Sequence, residues 1–443
     1  MRLALMLLVA ILIVADVFQL ELSLGPGLSV KNALLYVLFM GLFFRTIIEG
    51  VQSVDMPVVH AGFLVLVGYA ILTWLMAGLL IEYDGYDLID SAIALKSELA
   101  DFALLFLVAF HGTRNLNDVR ALLIALAVAF GFANLASLAH VAGVVDLGIR
   151  IGEDPNSPEA GRVFGVFGHA NETGTLITAL LPMSVAVGLA TTGMARVVLL
   201  TLALANATML LMTVSRGAFV GLIVGCAWAA FLCRRIIPMS RLIAIGVVAA
   251  AFVGIALVVA LVLNPDFAHV IYDRILGQSR AIDVGEASSG RTEIWGAVLE
   301  RMAMVPITLL TGYGWDVYHT MPFRYVPHNY YLTIWFNLGL PGLIAFIVIL
   351  TASVRAALRA APLADERMRL HFVAFPFGFL SLAAGIFFTD LFEPWLYIWF
   401  YAGVLLKGAS LVLADHAAET ANAAVPAIRR VQEHPWRAGR RAY

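Results

Sequence analysis

The chain has 443 residues, 61% of them hydrophobic and only 13% charged, with a formal net charge of -2. Soluble proteins carry roughly 25% charged residues, so the composition excludes a water-soluble globular enzyme and points to a polytopic membrane protein. The two cysteines, Cys226 and Cys233, share one apolar stretch. That excludes a disulfide framework and a cysteine metal centre, and no pattern for nucleic-acid binding is present.

A bilayer-crossing helix takes roughly 17–25 apolar residues. That rule predicts about twelve spans, at 3–20, 32–48, 60–80, 98–112, 120–142, 172–191, 196–213, 217–233, 242–263, 329–352, 371–389 and 395–413. The first lacks a small-x-small cleavage site and reads as an uncleaved helix rather than a signal peptide. The fourth is short and carries Glu98 and Asp101 near its start. One long segment, Asn264 to His328, cannot sit in a membrane. The tail after Asp415 is Ala-rich, then basic, and reads as a partly disordered extension. The expected organisation is an all-α polytopic membrane protein. Spans one to nine occupy residues 1–263, a loop domain with short helices 264–328, three further spans 329–415, and a tail 416–443.

Lysine and arginine set orientation. With the N-terminus inside, the inside loops, span ends and tail hold 17 of the 28 basic residues. Both termini are then cytoplasmic. Ten basic residues remain outside, among them Arg150, Arg162, Arg216, Arg274, Arg280, Arg291 and Arg324. Positive charge on that face opposes the insertion bias, and an anionic partner at the outer surface is the simplest reason to keep it.

Polar chemistry gathers in a few places. In Arg162 to Asn171, glycines permit close backbone approach. Arg162, His169 and Asn171 can line one cavity there, or merely form a turn into the sixth span. Ser215-Arg216-Gly217 joins two spans with almost no loop. Its guanidinium is either a snorkelling side chain or a fixed claw on a diphosphate, since the planar fork grips phosphate bidentately. Gly290-Arg291-Thr292-Glu293 opens an amphipathic helix on which Ile294, Trp295, Val298, Leu299 and Met302 recur at helical spacing. Ser289 or Gly290 can cap it. A cation in that first turn opposes the macrodipole, unless an anion sits there with it. The alternative is a solvated arginine paired with Glu286 or Glu293.

His328 follows Pro327 at the mouth of the next span. Its unperturbed pKa, about 6.5, suits proton transfer, although an interfacial histidine bonded to a carbonyl is the plainer reading. Asp84, Asp87 and Asp90 repeat outside as a solvated face. Asp390 or Glu393, in the turn between the last two spans, can supply a second base, but both read better as markers of the water boundary. No Asp-x-Asp metal signature, phosphate-binding glycine loop or Gly-x-Ser-x-Gly elbow is present.

Several segments, taken together, resemble the O-antigen ligase and polymerase family of bacterial envelope glycosyltransferases. They are Phe167-Gly168 with Asn171, Ser215-Arg216-Gly217, Gly290-Arg291 with Trp295, Gly312-x-Gly314, His328-Asn329 with Leu332, and Gly339 to Gly342. The resemblance spans roughly residues 160–350. It implies a GT-C-like membrane fold and metal-independent, cofactor-free transfer of a glycan from undecaprenyl diphosphate at the periplasmic face of the bacterial inner membrane. Carried over residue by residue, Arg216 and Arg291 hold the diphosphate, and His328 positions or deprotonates the acceptor hydroxyl. Arg162, His169, Asn171, Ser215, Trp295 and Asn329 belong to substrate binding. Attack by the acceptor hydroxyl inverts the anomeric centre. One dominant loop late in the chain favours a ligase, with lipid A core as acceptor, over a polymerase, whose two arginine-rich loops are comparable in size. A transporter of lipid-linked sugars is the reading from another class. It calls for repeats and midplane charges, whereas here the polar groups cluster at the outer ends of the spans. All three readings place the protein among membrane lipids.

Overall fold

The computed structural model describes residues 1–20, 23–49, 55–152, 160–272, 290–322, 326–391 and 395–432. Of the residues named above, Arg274, Arg280, Glu286, Ser289, Arg324 and Glu393 lie outside them.

In chain order the helices are α1 (Arg2–Val17), α2 (Val30–Glu49), α3 (Pro57–Met76), α4 (Leu88–Leu95), α5 (Asp101–Gly112), α6 (Leu116–Val141), α7 (Ala170–Ala190), α8 (Gly193–Thr213), α9 (Arg216–Cys233) and α10 (Met239–Leu263). Then come α11 (Phe267–Tyr272), α12 (Arg291–Met304), α13 (Thr308–Thr311), α14 (Tyr330–Ala360), α15 (Glu366–Gly385) and α16 (Trp395–Gln432). A two-stranded hairpin, β1 (Ser23–Gly25) and β2 (Leu28–Ser29), links α1 to α2. The protein is an all-α polytopic membrane protein. Among the described residues, ten helices are long and apolar enough to cross a bilayer.

Two of the twelve expected spans fall short for physical reasons. Helix α1 has 16 residues, below the usual crossing length. The fourth is divided: α4 and α5 join through a π-helical turn, Lys96–Ala100, that carries Lys96 and Glu98. Asp101, at the start of α5, is buried and accepts from Asn32 (2.9 Å), Tyr36 (2.7 Å) and Lys96 (2.9 Å). The tail read as a partly disordered extension is helical over its first part, and residues 433–443 lie outside the described residues. Helix α16 runs unbroken past Asp415 to Gln432, because the Ala-rich sequence beyond the bilayer keeps high helix propensity. Asp87, from the outer acidic repeat, caps α4 by accepting from the backbone N–H groups of Ile89 and Asp90. Both cysteines are free thiols in α9.

Two pieces of local chemistry position the site. The first is the packing of α9 on α15. Gly217, Gly221 and Gly225 recur every fourth residue along one face of α9 and lie against Phe388, Gly385 and Ser381. A Cβ at Gly225 would stand 2.2 Å from the Ser381 backbone nitrogen, so only glycine allows this approach. Small residues at this spacing are how membrane helices pack closely. The start of α9 is thereby held against the turn that follows α15.

The second is a break in α14 at Gly339, whose φ of 60° and ψ of -164° are not helical. Pro341 has no N–H to give to the carbonyl four residues back, that of Asn337. Gly314 supplies one at 3.0 Å, and Tyr313 donates to Phe336 O at 2.8 Å. Tyr313 also stacks on Phe336, with ring centroids 4.7 Å apart. The Gly-x-Gly element and the Gly-Leu-Pro-Gly element therefore solve one problem, the unsatisfied carbonyls of a broken helix. Val298 and Met302 of α12 are buried in the small core built there with Tyr318 and Leu332. Leu299, expected on the same face, is exposed.

Candidate functional site

The turn between α8 and α9 is built from inside the bundle. Val214 has φ of 43°, a left-handed conformation costly for a β-branched residue. Four bonds hold it. Arg162 donates through Nε to Thr213 O at 2.9 Å and through a terminal nitrogen to Asn171 Oδ1 at 2.7 Å. Ser215 donates to the same Asn171 oxygen at 3.0 Å. The backbone N–H of Val163 donates to Met212 O at 3.1 Å. His169 caps α7 by accepting from Asn171 N–H at 3.2 Å, and Ser215 caps α9 by accepting from Ala218 N–H.

Arg162 is 2% exposed. It is buried in the bundle beside Asn171, which the sequence had grouped with it. Its guanidinium faces inward and braces the turn. Arg162, Asn171 and Ser215 together fix the backbone that presents Arg216, whose own side chain is partly exposed.

Arg291 arrives from the other side. It is the first residue of α12, and the residue before it, Gly290, is left-handed at φ of 76° with no side-chain cap. Among the described residues Arg291 forms no ion pair, so the alternative reading, a pairing with Glu293, is not made. Its basicity is lowered, first by burial and then by the positive charge of Arg216, with Asp390 acting in the opposite sense. The two guanidinium groups thus lie within electrostatic reach of each other in a partly desolvated place. Like charges there destabilise each other unless an anion joins them.

His328 sits at the mouth of α14 with φ of 52°, again a left-handed residue that other groups must hold in place. Trp295 donates through Nε1 to Pro327 O at 2.6 Å and packs edge-on against Phe387 at 5.4 Å. Asn329 caps α14 by accepting from Leu332 N–H at 3.2 Å. The His328 side chain reaches water, yet its pKa is lowered to about 4, chiefly by the desolvation of its dense surroundings and then by Arg291 and His169. Its pKa is therefore not the ordinary value expected from sequence. The imidazole is neutral throughout the neutral range, a ready hydrogen-bond acceptor but a weak base.

The residue undervalued in sequence is Asp390. It was read as a mark of the water boundary and is instead 2% exposed. Its Oδ1 accepts from Thr333 at 2.7 Å, while Oδ2 is buried without a hydrogen bond of standard geometry. Its pKa is raised to about 6 by burial, offset in part by Thr333, by the backbone N–H groups of His328 and Asn329, and by Arg291. Tyr330 N–H donates to Ile386 O at 2.9 Å, and Tyr331 O–H to Ala383 O at 2.7 Å. With Gly217 against Phe388, the end of α15 and the turn beyond it touch both the Arg216 turn and the His328 turn. A signal was present in the sequence: a carboxylate in an aromatic turn. Nothing there showed what it faced.

Among the described residues, no three His, Cys, Asp or Glu side chains group as metal ligands. Arg216, Arg291, His328, His169 and Asp390 form one electrostatic cluster. Trp295, Asn329, Ser215, Asn171 and Arg162 hold its parts. Such a cluster can bind a multiply charged anion and orient a hydroxyl beside it.

A search of curated proteins finds no match to this chain. A family model described as O-antigen ligase matches residues 198–347. The match runs from within α8 into α14 and includes Arg216, Arg291 and His328, while Arg162, His169, Asn171 and Asp390 lie beyond it. Among the described residues ten helices are long and apolar enough to cross a bilayer, and residues 198–347 match the O-antigen ligase family, which supports the O-antigen ligase and polymerase family for this chain.

Proposed function

We propose that the protein is an O-antigen ligase. In this reading it transfers a polysaccharide from undecaprenyl diphosphate to the lipid A core at the periplasmic face of the inner membrane. The observation that carries the proposal is the pair Arg216 and Arg291, two guanidinium groups sharing one partly buried place beside a neutral His328. A diphosphate leaving group satisfies that pair. As the anomeric C–O bond breaks, charge grows on the diphosphate, and cations already aimed at it stabilise the transition state without reorganising. No metal ion is required for that role.

The acceptor hydroxyl attacks the anomeric carbon from the face opposite the leaving group, so the product is inverted. Its proton passes to the unprotonated ring nitrogen of His328 as the new bond forms. Diphosphate beside Arg291 cancels the positive charge that adds to the burial in holding the imidazole pKa down. His328 is then a better base in the donor complex than in the free enzyme. Asp390 acts as a positioning residue, steadying the His328–Asn329 backbone.

The test combines purified protein, lipid-linked polysaccharide and lipid A core, with product followed by gel mobility. Long chains on the core in the wild type, and unchanged lipid-linked donor with Arg216→Ala, Arg291→Ala or His328→Ala, are expected. Normal product from all three variants would sink the assignment of these residues. Elongation of lipid-linked repeats with the core left bare would identify a polymerase of the same family.

A further inference from the structure

A cavity lies between α1, the β1–β2 hairpin, α2 and the α4–α5 junction. It has a volume of about 610 Å³, within the roughly 300–1,000 Å³ typical of ligand sites. Leu396, in the first turn of α16, lines it, as does Glu98. Glu98 lies within electrostatic reach of Asp390 and Asp316, so the cavity opens at the same end of the bundle as the candidate site.

Its lining is sorted by depth. Leu8, Leu12, Leu35, Phe102 and Leu105 line one part, and Asp16, Lys31, Lys96 and Asp101 another. Along α1, the step from Leu8 to Asp16 is about 12 Å at 1.5 Å per residue. Apolar walls therefore lie inside the bundle and charge lies toward its end. The carboxylates are occupied from within. Asp16 accepts from Lys31 and from the Tyr397 hydroxyl, and Asp101 accepts from Asn32, Tyr36 and Lys96. Each ammonium has three donors. Among the described residues Lys31 bonds only Asp16, and Lys96 only Asp101. The lysine side chains are 22% and 27% exposed, against 8% and 5% for their partners. The acids are thus filled and buried, while the lysines are held in place with donors to spare. A strongly polar donor end above an apolar slot suits an amphipathic anion.

We propose that this cavity binds an anionic membrane lipid, its phosphate on Lys31 and Lys96 and a hydrocarbon chain against Leu8, Leu12, Leu35 and Leu105. Glu98 is the one acid in the wall with no internal donor among the described residues, and it limits the affinity. The inference stands apart from the transfer reaction, because retention of lipid is read without turnover.

The full-length protein, purified in detergent doped with phosphatidylglycerol or with diacylglycerol of the same chains, is examined by native mass spectrometry. Phosphatidylglycerol is expected to stay bound and diacylglycerol to be lost. The Lys31→Met/Lys96→Met double variant is expected to lower retention at least about fivefold, and Glu98→Gln to raise it. Leu28→Trp narrows the rim at a position already 38% exposed, leaves every charge in place and is expected to lower retention as well. Melting curves report folding; if the lysine variant melts early, Leu28→Trp decides. Equal retention of the two lipids, or unchanged retention with Leu28→Trp, overturns the proposal. Added lipid A separates two sources of the same chemistry. Displacement of phosphatidylglycerol identifies a substrate-type glycolipid, and its persistence identifies a resident phospholipid; either result keeps the site.

Discussion

Arg216 and Arg291 are the same residue type in one cluster, but they are held in opposite ways. Arg216 follows a strained turn braced by a fully buried guanidinium, an asparagine and a glycine face only backbone can approach. Arg291 opens a helix whose N-cap, Gly290, is left-handed and gives no side-chain cap. One charge is built into the bundle; the other is carried on a peripheral helix that docks through Val298 and Met302. Under the proposed function, one guanidinium contact is fixed by the bundle and the other is set by how a peripheral helix docks.

The sharpest way to break this comparison is to remove each charge and then both. Arg216→Ala and Arg291→Ala are each expected to lower kcat/KM by about 10²–10³, the range for loss of one donor to a developing anion. If both act on one diphosphate, the double variant falls well short of the product of the two losses. Full multiplicativity in transfer assays would show that the two arginines serve separate partners.

The next effect separates the ways of holding. Arg162→Met leaves Thr213 O and Asn171 Oδ1 without their charged donor, at a cost of roughly 1.5–3 kcal/mol. Melting temperature and kcat are expected to fall together, because the brace is also part of the core. Gly290→Ala forces a side chain into a left-handed backbone, at about 1–2 kcal/mol. It is expected to lower activity with almost no change in melting temperature. Equal thermal shifts in both variants would erase the proposed difference.

A third prediction concerns charge alone. Burial, Arg291 and His169 hold the His328 pKa at about 4, so the free imidazole is neutral above that pH and protonates only as pH falls through it. Arg291→Ala removes a positive neighbour and is expected to move the His328 pKa upward, toward the ordinary histidine value near 6.5. Arg216→Ala is expected to move it less. Histidine resonances followed by NMR against pH check the sign; a downward shift with Arg291→Ala would mean that the two groups do not face each other.

The smallest effect expected is at Asp390. Its pKa is raised to about 6, so Asp390→Asn mimics the protonated form present below that pH. The variant is expected to lower kcat severalfold at pH 8 and less at pH 5, because there the wild type has already gained the proton. A loss of equal size at both values would assign the residue to packing rather than to its charge.

Much of this was written in local sequence. Helix positions followed from hydropathy, because a bilayer tolerates backbone only when it is internally bonded. The proposal of an anion site began from arginines that the insertion bias should have removed. Motif order supplied the family, and residues 198–347 bear it out. Hydropathy also over-read α1 and the α4–α5 junction, because length and buried charge matter as much as mean apolarity.

What the tertiary structure decided was the role of each polar residue. Arg162 and Arg216 look alike in sequence, each an outside arginine near a glycine. Packing turns one inward as a brace and leaves the other at the surface. Asp390 lies 57 residues from Thr333 in the chain, yet they share a hydrogen bond. The left-handed turn at His328 depends on Trp295, 32 residues away from the Pro327 carbonyl it binds. Hydropathy is a property of a window, whereas a pKa or a braced turn belongs to groups that only folding brings together. The sequence alone determined the membrane, the helices and the family resemblance; the fold decided which residues present charge and which hold it still.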